Sequence, residues 1–225
     1  MPGPFEPVPG GGAAIDLDDV EVSILRSLAV QMLELIGPGD EPVEGEDPLA
    51  ALFAEGPSEP PDDPALARLF PDAYSGPDRG GDTGTGPGAG PGSGPGSRPA
   101  MSEDERRAAS AEFRRFTEND LRAGKRANAL AVVHALDGLE TGGGSTAELR
   151  LTPDECRQWL CALNDLRLTI GTRLEISEED DAEGADGTEG GGLYHLPDDD
   201  PRKPMVMAYL WLGVLQETLV GTVLP

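Results

Sequence analysis

Val20, Ile24, Leu28 and Leu35 recur at helical spacing, Leu25, Val30 and Met32 widen the apolar stripe, and Gly37-Pro38 ends it. This pattern predicts an N-terminal helix, with Asp16 or Asp18 placed to cap it. Ahead of it, FEPVPGGGAAIDLD sets short extended pieces around Gly10-Gly11-Gly12, the signature of a loose hairpin. Two later segments, DPLAALF (47–53) and DPALARLF (63–70), each join an Asp cap and a Pro at the first helical position to Leu and Phe at helical spacing. They predict two short helices laid onto a larger body. Ser102 and Glu105 form a capping-box pair opening a helix to Arg122, with Ala109, Phe113 and Phe116 directed inward. Gly124 separates it from a second helix over 125–139. Glu148–Leu151 alternates as a strand does, and Thr152-Pro153-Asp154-Glu155 then starts a central helix whose inner face carries Cys156, Trp159, Leu160, Leu163, Leu166 and Ile170. Thr172–Ile176 and Leu193–Leu196 read as strands. The last helix, from Pro204, is apolar almost all round through Leu219, the pattern of a helix at the centre of a small fold. The fold class that follows is α+β, mainly α: N-terminal, central and C-terminal helices form the core, with a small antiparallel sheet beside them.

Composition limits how much of the chain takes part. Of 225 residues, 31 are Gly and 22 are Pro, and residues 75–100 alone hold ten Gly and five Pro with almost no apolar side chains. Such a stretch cannot repay the entropy of ordering and reads as a disordered linker. It divides the chain into residues 1–74 (hairpin, helix and two short helices) and 101–225, the helical remainder of the same single domain. Within the latter, residues 177–192 carry seven acids and no base, a solvated acidic loop.

Charge and hydropathy then exclude classes of function. A formal net charge of −25 repels phosphate backbones and anionic membranes, so direct DNA binding by the chain alone is disfavoured and a basic protein surface is the easier partner. The run Met205–Leu215 is about half of the roughly 20 residues that span a bilayer, and Gln216 and Glu217 follow it. With no charged and then apolar leader at the start, a cytoplasmic location is expected.

Candidate chemistry is sparse. Phosphate-binding, nucleophile-elbow and zinc-helix motifs are missing, and neither a cofactor nor a metal is expected. The two cysteines, Cys156 and Cys161, are five positions apart on a helix, which separates their side chains by roughly 140°. A bridge between them would therefore require local distortion of that helix. Two readings stand: Cys156 as a small core residue with Cys161 an incidental thiol, or a redox switch in which Cys161 reacts first. Seven of the seventeen bases lie within residues 106–126, and Arg107, Arg114, Arg115 and Arg122 share one helix face. That face reads either as a solvated surface paired with nearby acids or as a docking surface for a protein partner. Asn164, Asp165 and Arg167, polar residues on an otherwise apolar helix, read as a possible buried polar cluster. His134 would join them if the site were catalytic.

As a set, EVSILRSLAVQMLELIG, EFRRFTENDLR, CRQWLCALNDLRLTIGTRLEI and DPRKPMVMAYLWLGVLQETLV resemble the actinomycete oxidative-stress regulator (AosR) family, formerly a domain of unknown function family. The resemblance covers nearly all of the chain outside 75–100 and 177–192. It implies a non-enzymatic, redox-responsive transcription regulator that works with an alternative sigma factor, and so a sigma factor or RNA polymerase as partner. The alternative is a non-catalytic scaffold or adaptor without redox sensing.

Overall fold

Short extended segments near the start of the chain and in its second half meet in one small antiparallel sheet. Its order is β1 (Glu6–Pro7), β2 (Ala13–Leu17) and β3 (Ala147–Leu151), with Ala13 opposite Leu151, Ile15 opposite Leu149 and Leu17 opposite Ala147. The structure, a computed structural model, describes residues 3–38, 55–74, 101–139, 146–176 and 196–223. The expected linker 75–100, the acidic loop 177–192, the whole first short helical segment (47–53) and, apart from Leu196, the strand expected over 193–196 lie outside the described residues.

The expected hairpin is present. Val8 and Gly12 close it through Val8 N–H to the Gly12 carbonyl (3.3 Å) and Gly11 N–H to the Val8 carbonyl (3.2 Å), and Gly10, Gly11 and Gly12 all take positive φ. Gly12 is the constrained one: a Cβ there would stand 2.2 Å from the Leu151 carbonyl oxygen, whereas one at Gly10 would meet nothing. Gly12→Ala is therefore expected to lower stability by about 2 kcal/mol, and Gly10→Ala by about 1 kcal/mol from its left-handed backbone alone. Urea unfolding of the two variants side by side checks this; equal losses would mean the β2–β3 approach is not tight.

Five helices are described. Helix α1 (Asp19–Ile36) is capped by Asp18, which accepts from the Val20 and Glu21 amides while Glu21 accepts from the Asp18 amide. Asp16, the other capping candidate, lies in β2. Helix α2 (Pro64–Leu69) has the expected Asp63 cap and first-turn Pro. Helix α3 (Glu103–Asp137) begins at the Ser102–Glu105 capping box, α4 (Pro153–Arg173) at that of Thr152 and Glu155, and α5 spans Lys203–Val223.

Three expectations are corrected. Gly124 does not divide α3. Glycine costs about 1 kcal/mol inside a helix, but here the chain is held on both sides of it by Arg122 to Glu118 and Lys125 to Asp165. Residues 172–176 are not a strand: α4 runs through Arg173 and closes by a left-handed Glu175 (φ 56°), with the Ile176 amide donating to the Gly171 carbonyl. The helix at the centre is α4, not α5. Helix α4 packs on α1, α2, α3, α5 and β3, whereas α5 meets α4, β1 and β2. Helix α5 is, among the described residues, the one helix long and apolar enough to cross a bilayer by length and composition. Its Val206, Tyr209, Leu212, Leu215 and Leu219 face the core, and Met207 and Val214 stand half-exposed on the other side.

The core gathers Phe5, Ile15 and Leu17 from the sheet side, Leu25, Met32 and Ile36 of α1, Leu69 and Phe70 from α2, Val132 and Leu136 of α3, and Trp159, Leu163, Leu166 and Ile170 of α4. Trp159 is its largest member, with the Phe5 ring edge-on at 6.2 Å.

Candidate functional site

The thiols occupy opposite environments on one helix. The capping box at Thr152 fixes the start of α4 so that Cys156, one turn in, points at the sheet. It is fully buried, and its Sγ lies 4.0 Å from the Leu151 carbonyl. Burial pushes the Cys156 thiol above its ordinary pKa, which keeps it protonated and unreactive near neutrality. Cys161, five residues on, is exposed, and both thiols are free. Among the described residues no cluster of His, Cys, Asp and Glu could hold a metal ion. His134 is exposed on α3, and His195 lies outside the described residues.

The four arginines do not form one surface. Arg107 and Arg115 are exposed and pair locally, Arg107 with Asp104 (2.9 Å) and Glu103 (3.4 Å), Arg115 with Glu55 (2.8 Å). Arg114 and Arg122 are turned inward around Glu118, which is 1% exposed. Arg114 donates to Glu118, to Asp72 (2.8 Å) and to the Phe70 carbonyl (3.0 Å). Arg122 donates through Nε (2.9 Å) and Nη2 (2.7 Å) to the other Glu118 oxygen and through Nη1 to the Ile36 carbonyl (2.8 Å), with its guanidinium 4.5 Å over the Phe70 ring. Burial works against the Arg114 charge, but hydrogen bonds to Asp72 and Glu118 outweigh it and hold its pKa above the ordinary value. Arg126 extends the pattern by donating to the Leu33 and Gly37 carbonyls, so cations of α3 serve the carbonyl end of α1, which has no base in its own last turn.

This reverses the face assigned to the first half of α3. Phe113 and Phe116 point outward, 46% and 62% exposed, while Ser110, Arg114 and Glu118 are buried. The missed signal is phase. Stepping back from the buried Leu136, Val132 and Ala129 by threes and fours leads to Lys125, Arg122, Glu118, Arg114 and Ser110, a polar continuation of the same stripe.

The proposed polar cluster on α4 also separates, because consecutive helical residues point roughly 100° apart. Asn164 is exposed. Asp165, 3% exposed, accepts from Lys125 Nζ of α3 at 2.6 Å. Arg167 turns to α5, reaching Gln216 (3.0 Å) and the Tyr209 hydroxyl (3.4 Å). No described groove brings these residues together with His134.

The arrangement offers an accessible thiol and a buried, ion-paired core in which the Arg114 Nε alone of that guanidinium's nitrogens lacks an acceptor, rather than an assembled acid–base site. The family model DUF2017, a domain of unknown function, matches residues 2–83 and 98–223. A Mycobacterium tuberculosis protein named "Oxidative stress regulator AosR" is 30% identical over 202 residues, covering 89% of this chain and 77% of that protein. A Mycobacterium leprae protein named "Putative oxidative stress regulator AosR" is 27% identical over the same shares. No solved structure matches the chain. The chain thus belongs to the DUF2017 family, alongside relatives named as AosR oxidative stress regulators.

Proposed function

We propose that this protein is a redox-responsive transcription regulator of the oxidative-stress response, acting in the cytoplasm through protein contacts with an alternative sigma factor. The names of the relatives support the oxidative-stress role. A chain of net charge −25 meets basic protein surfaces more readily than DNA, which supports action through a protein partner. The observation that carries the redox part is the exposed, free Cys161 on a helix whose other thiol is sealed in the core. Hydrogen peroxide takes two electrons from the Cys161 thiolate, transferring one oxygen to form a sulfenic acid and releasing hydroxide as the O–O bond breaks. A second thiol, on another molecule, then forms a disulfide with it as water leaves. No catalytic turnover is assigned to the chain.

The scaffold reading keeps a specific observation on its side, since Cys156 is held as a core residue. Thiol labelling separates the two. In the native full chain a thiol reagent is expected to modify Cys161 and to reach Cys156 only in denaturant, and hydroperoxide is expected to yield disulfide-linked species in wild type and Cys156→Ser but not in Cys161→Ser. A Cys161 that stays reduced under peroxide leaves the scaffold as the account.

A further inference from the structure

Arg114, Arg122 and Lys125, the buried and half-buried bases around α3, each meet a carboxylate. Arg167 does not. Half-buried on α4, it donates from Nη1 to Gln216 and from Nη2 to the Tyr209 hydroxyl, both neutral, and its guanidinium carbon lies 5.0 Å from the centre of the Tyr209 ring. Its Nε–H is buried with no acceptor. Among the described residues no carboxylate forms an ion pair with it, although Glu217 lines the same groove. A guanidinium presents five N–H donors, and two are used here. The guanidinium runs close to α5 at Gly213, where an added Cβ would stand in ordinary van der Waals contact with it, 3.6, 3.7 and 3.8 Å from Nε, Cζ and Nη2. Among the described residues the cation is thus held by stacking on Tyr209 and by neutral hydrogen-bond partners, without an ion-paired carboxylate.

It stands at the wall of a groove of about 540 Å³ between α4 and α5, whose apolar lining is Leu210, Val214 and Val220. We propose that this groove binds a small organic acid with one carboxylate and a short apolar chain. The carboxylate pairs with the Arg167 guanidinium beside Tyr209, and the chain lies along Leu210, Val214 and Val220. The chemistry selects this class over others. One guanidinium without a second base in the groove matches a monoanion; Glu217 and the acidic field of the protein oppose any anion there, and a phosphate dianion about twice as strongly as a carboxylate. A neutral apolar molecule would leave the cation uncompensated, and an amine would be repelled by it. The volume falls in the usual range for small-ligand sites, and the few contacts limit the affinity to the millimolar range.

Hexanoate is the probe. Isotope-edited NMR of the full chain at neutral pH follows the Arg167 Nε–H and the Gly213 and Val214 amides while hexanoate, hexan-1-ol or hexylamine is added. Saturable shifts at these groups are expected with hexanoate, with binding roughly tenfold weaker for hexan-1-ol and for Arg167→Gln. Should Arg167→Gln not fold, Val214→Asp serves instead. It alters a half-exposed rim position, leaves Arg167 in place, and is expected to abolish the hexanoate response by setting a competing carboxylate at the groove. Shifts that do not saturate, that are equal for hexan-1-ol, or that survive Val214→Asp overturn the proposal.

Discussion

Glu118→Ala is expected to cost about 3–5 kcal/mol of unfolding free energy, enough to leave many domains largely unfolded. The carboxylate is 1% exposed and divides its oxygens between Arg114 and Arg122, so its removal strands two guanidinium groups, one of them 5% exposed, inside the protein. Asp72 retains one contact to Arg114 and the Ile36 carbonyl one to Arg122, but neither is a buried charge placed between the two. Equilibrium unfolding in urea measures the loss. The expected result has a sharper companion: replacing Arg114, Glu118 and Arg122 together by apolar residues of similar size is expected to cost far less than Glu118→Ala alone, because no uncompensated charge then stays behind. A loss below about 1 kcal/mol for Glu118→Ala would mean that water reaches this network as it does a surface pair.

Trp159→Ala is the second large effect, about 3–5 kcal/mol. The side chain, in the first half of α4, is 1% exposed and meets the Phe5 ring in a T-shaped contact that ties the N-terminal segment to the helices. Its removal leaves a cavity between the hairpin and α4. Trp159→Phe is expected to be milder, about 1–2 kcal/mol, since it retains an aromatic ring and removes an indole N–H that has no hydrogen-bond partner. Thermal melts of the two variants provide the comparison. A Trp159→Ala protein as stable as wild type would contradict the place given to α4 as the hub of the core.

Elements with a local chemical signature were legible in the sequence. The caps at Asp18, Asp63, Ser102 and Thr152 start four helices as their side chains predict, because each satisfies amides one turn away and needs no distant partner. The hairpin followed from its glycine run for the same reason. The faces of α3 and α5 did not. Phe113 and Phe116 are apolar and Arg114 and Glu118 charged, so composition alone turns the helix the wrong way. Only Asp72, the Phe70 carbonyl and the end of α1, all distant in sequence, make the charged side the buried one. Helix α5 is apolar on both sides, and its place at the edge depends on α4 having α1, α2 and α3 on its other faces. Asn164, Asp165 and Arg167 failed as a cluster for a geometric reason that the sequence does contain, since neighbours on a helix diverge. Their separate partners, Lys125 and Gln216, were beyond its reach. For the thiols, helical geometry sufficed to place Cys156 inward and Cys161 outward.

That asymmetry is also where the functional account can be tested most directly. Binding of the purified full chain to an alternative sigma factor, measured with and without a hydroperoxide for wild type and for Cys161→Ser, isolates the thiol from the rest of the surface. The account predicts that oxidant changes the wild-type affinity and leaves Cys161→Ser where the reduced protein stands. Equal affinities for both proteins under both conditions would contradict it.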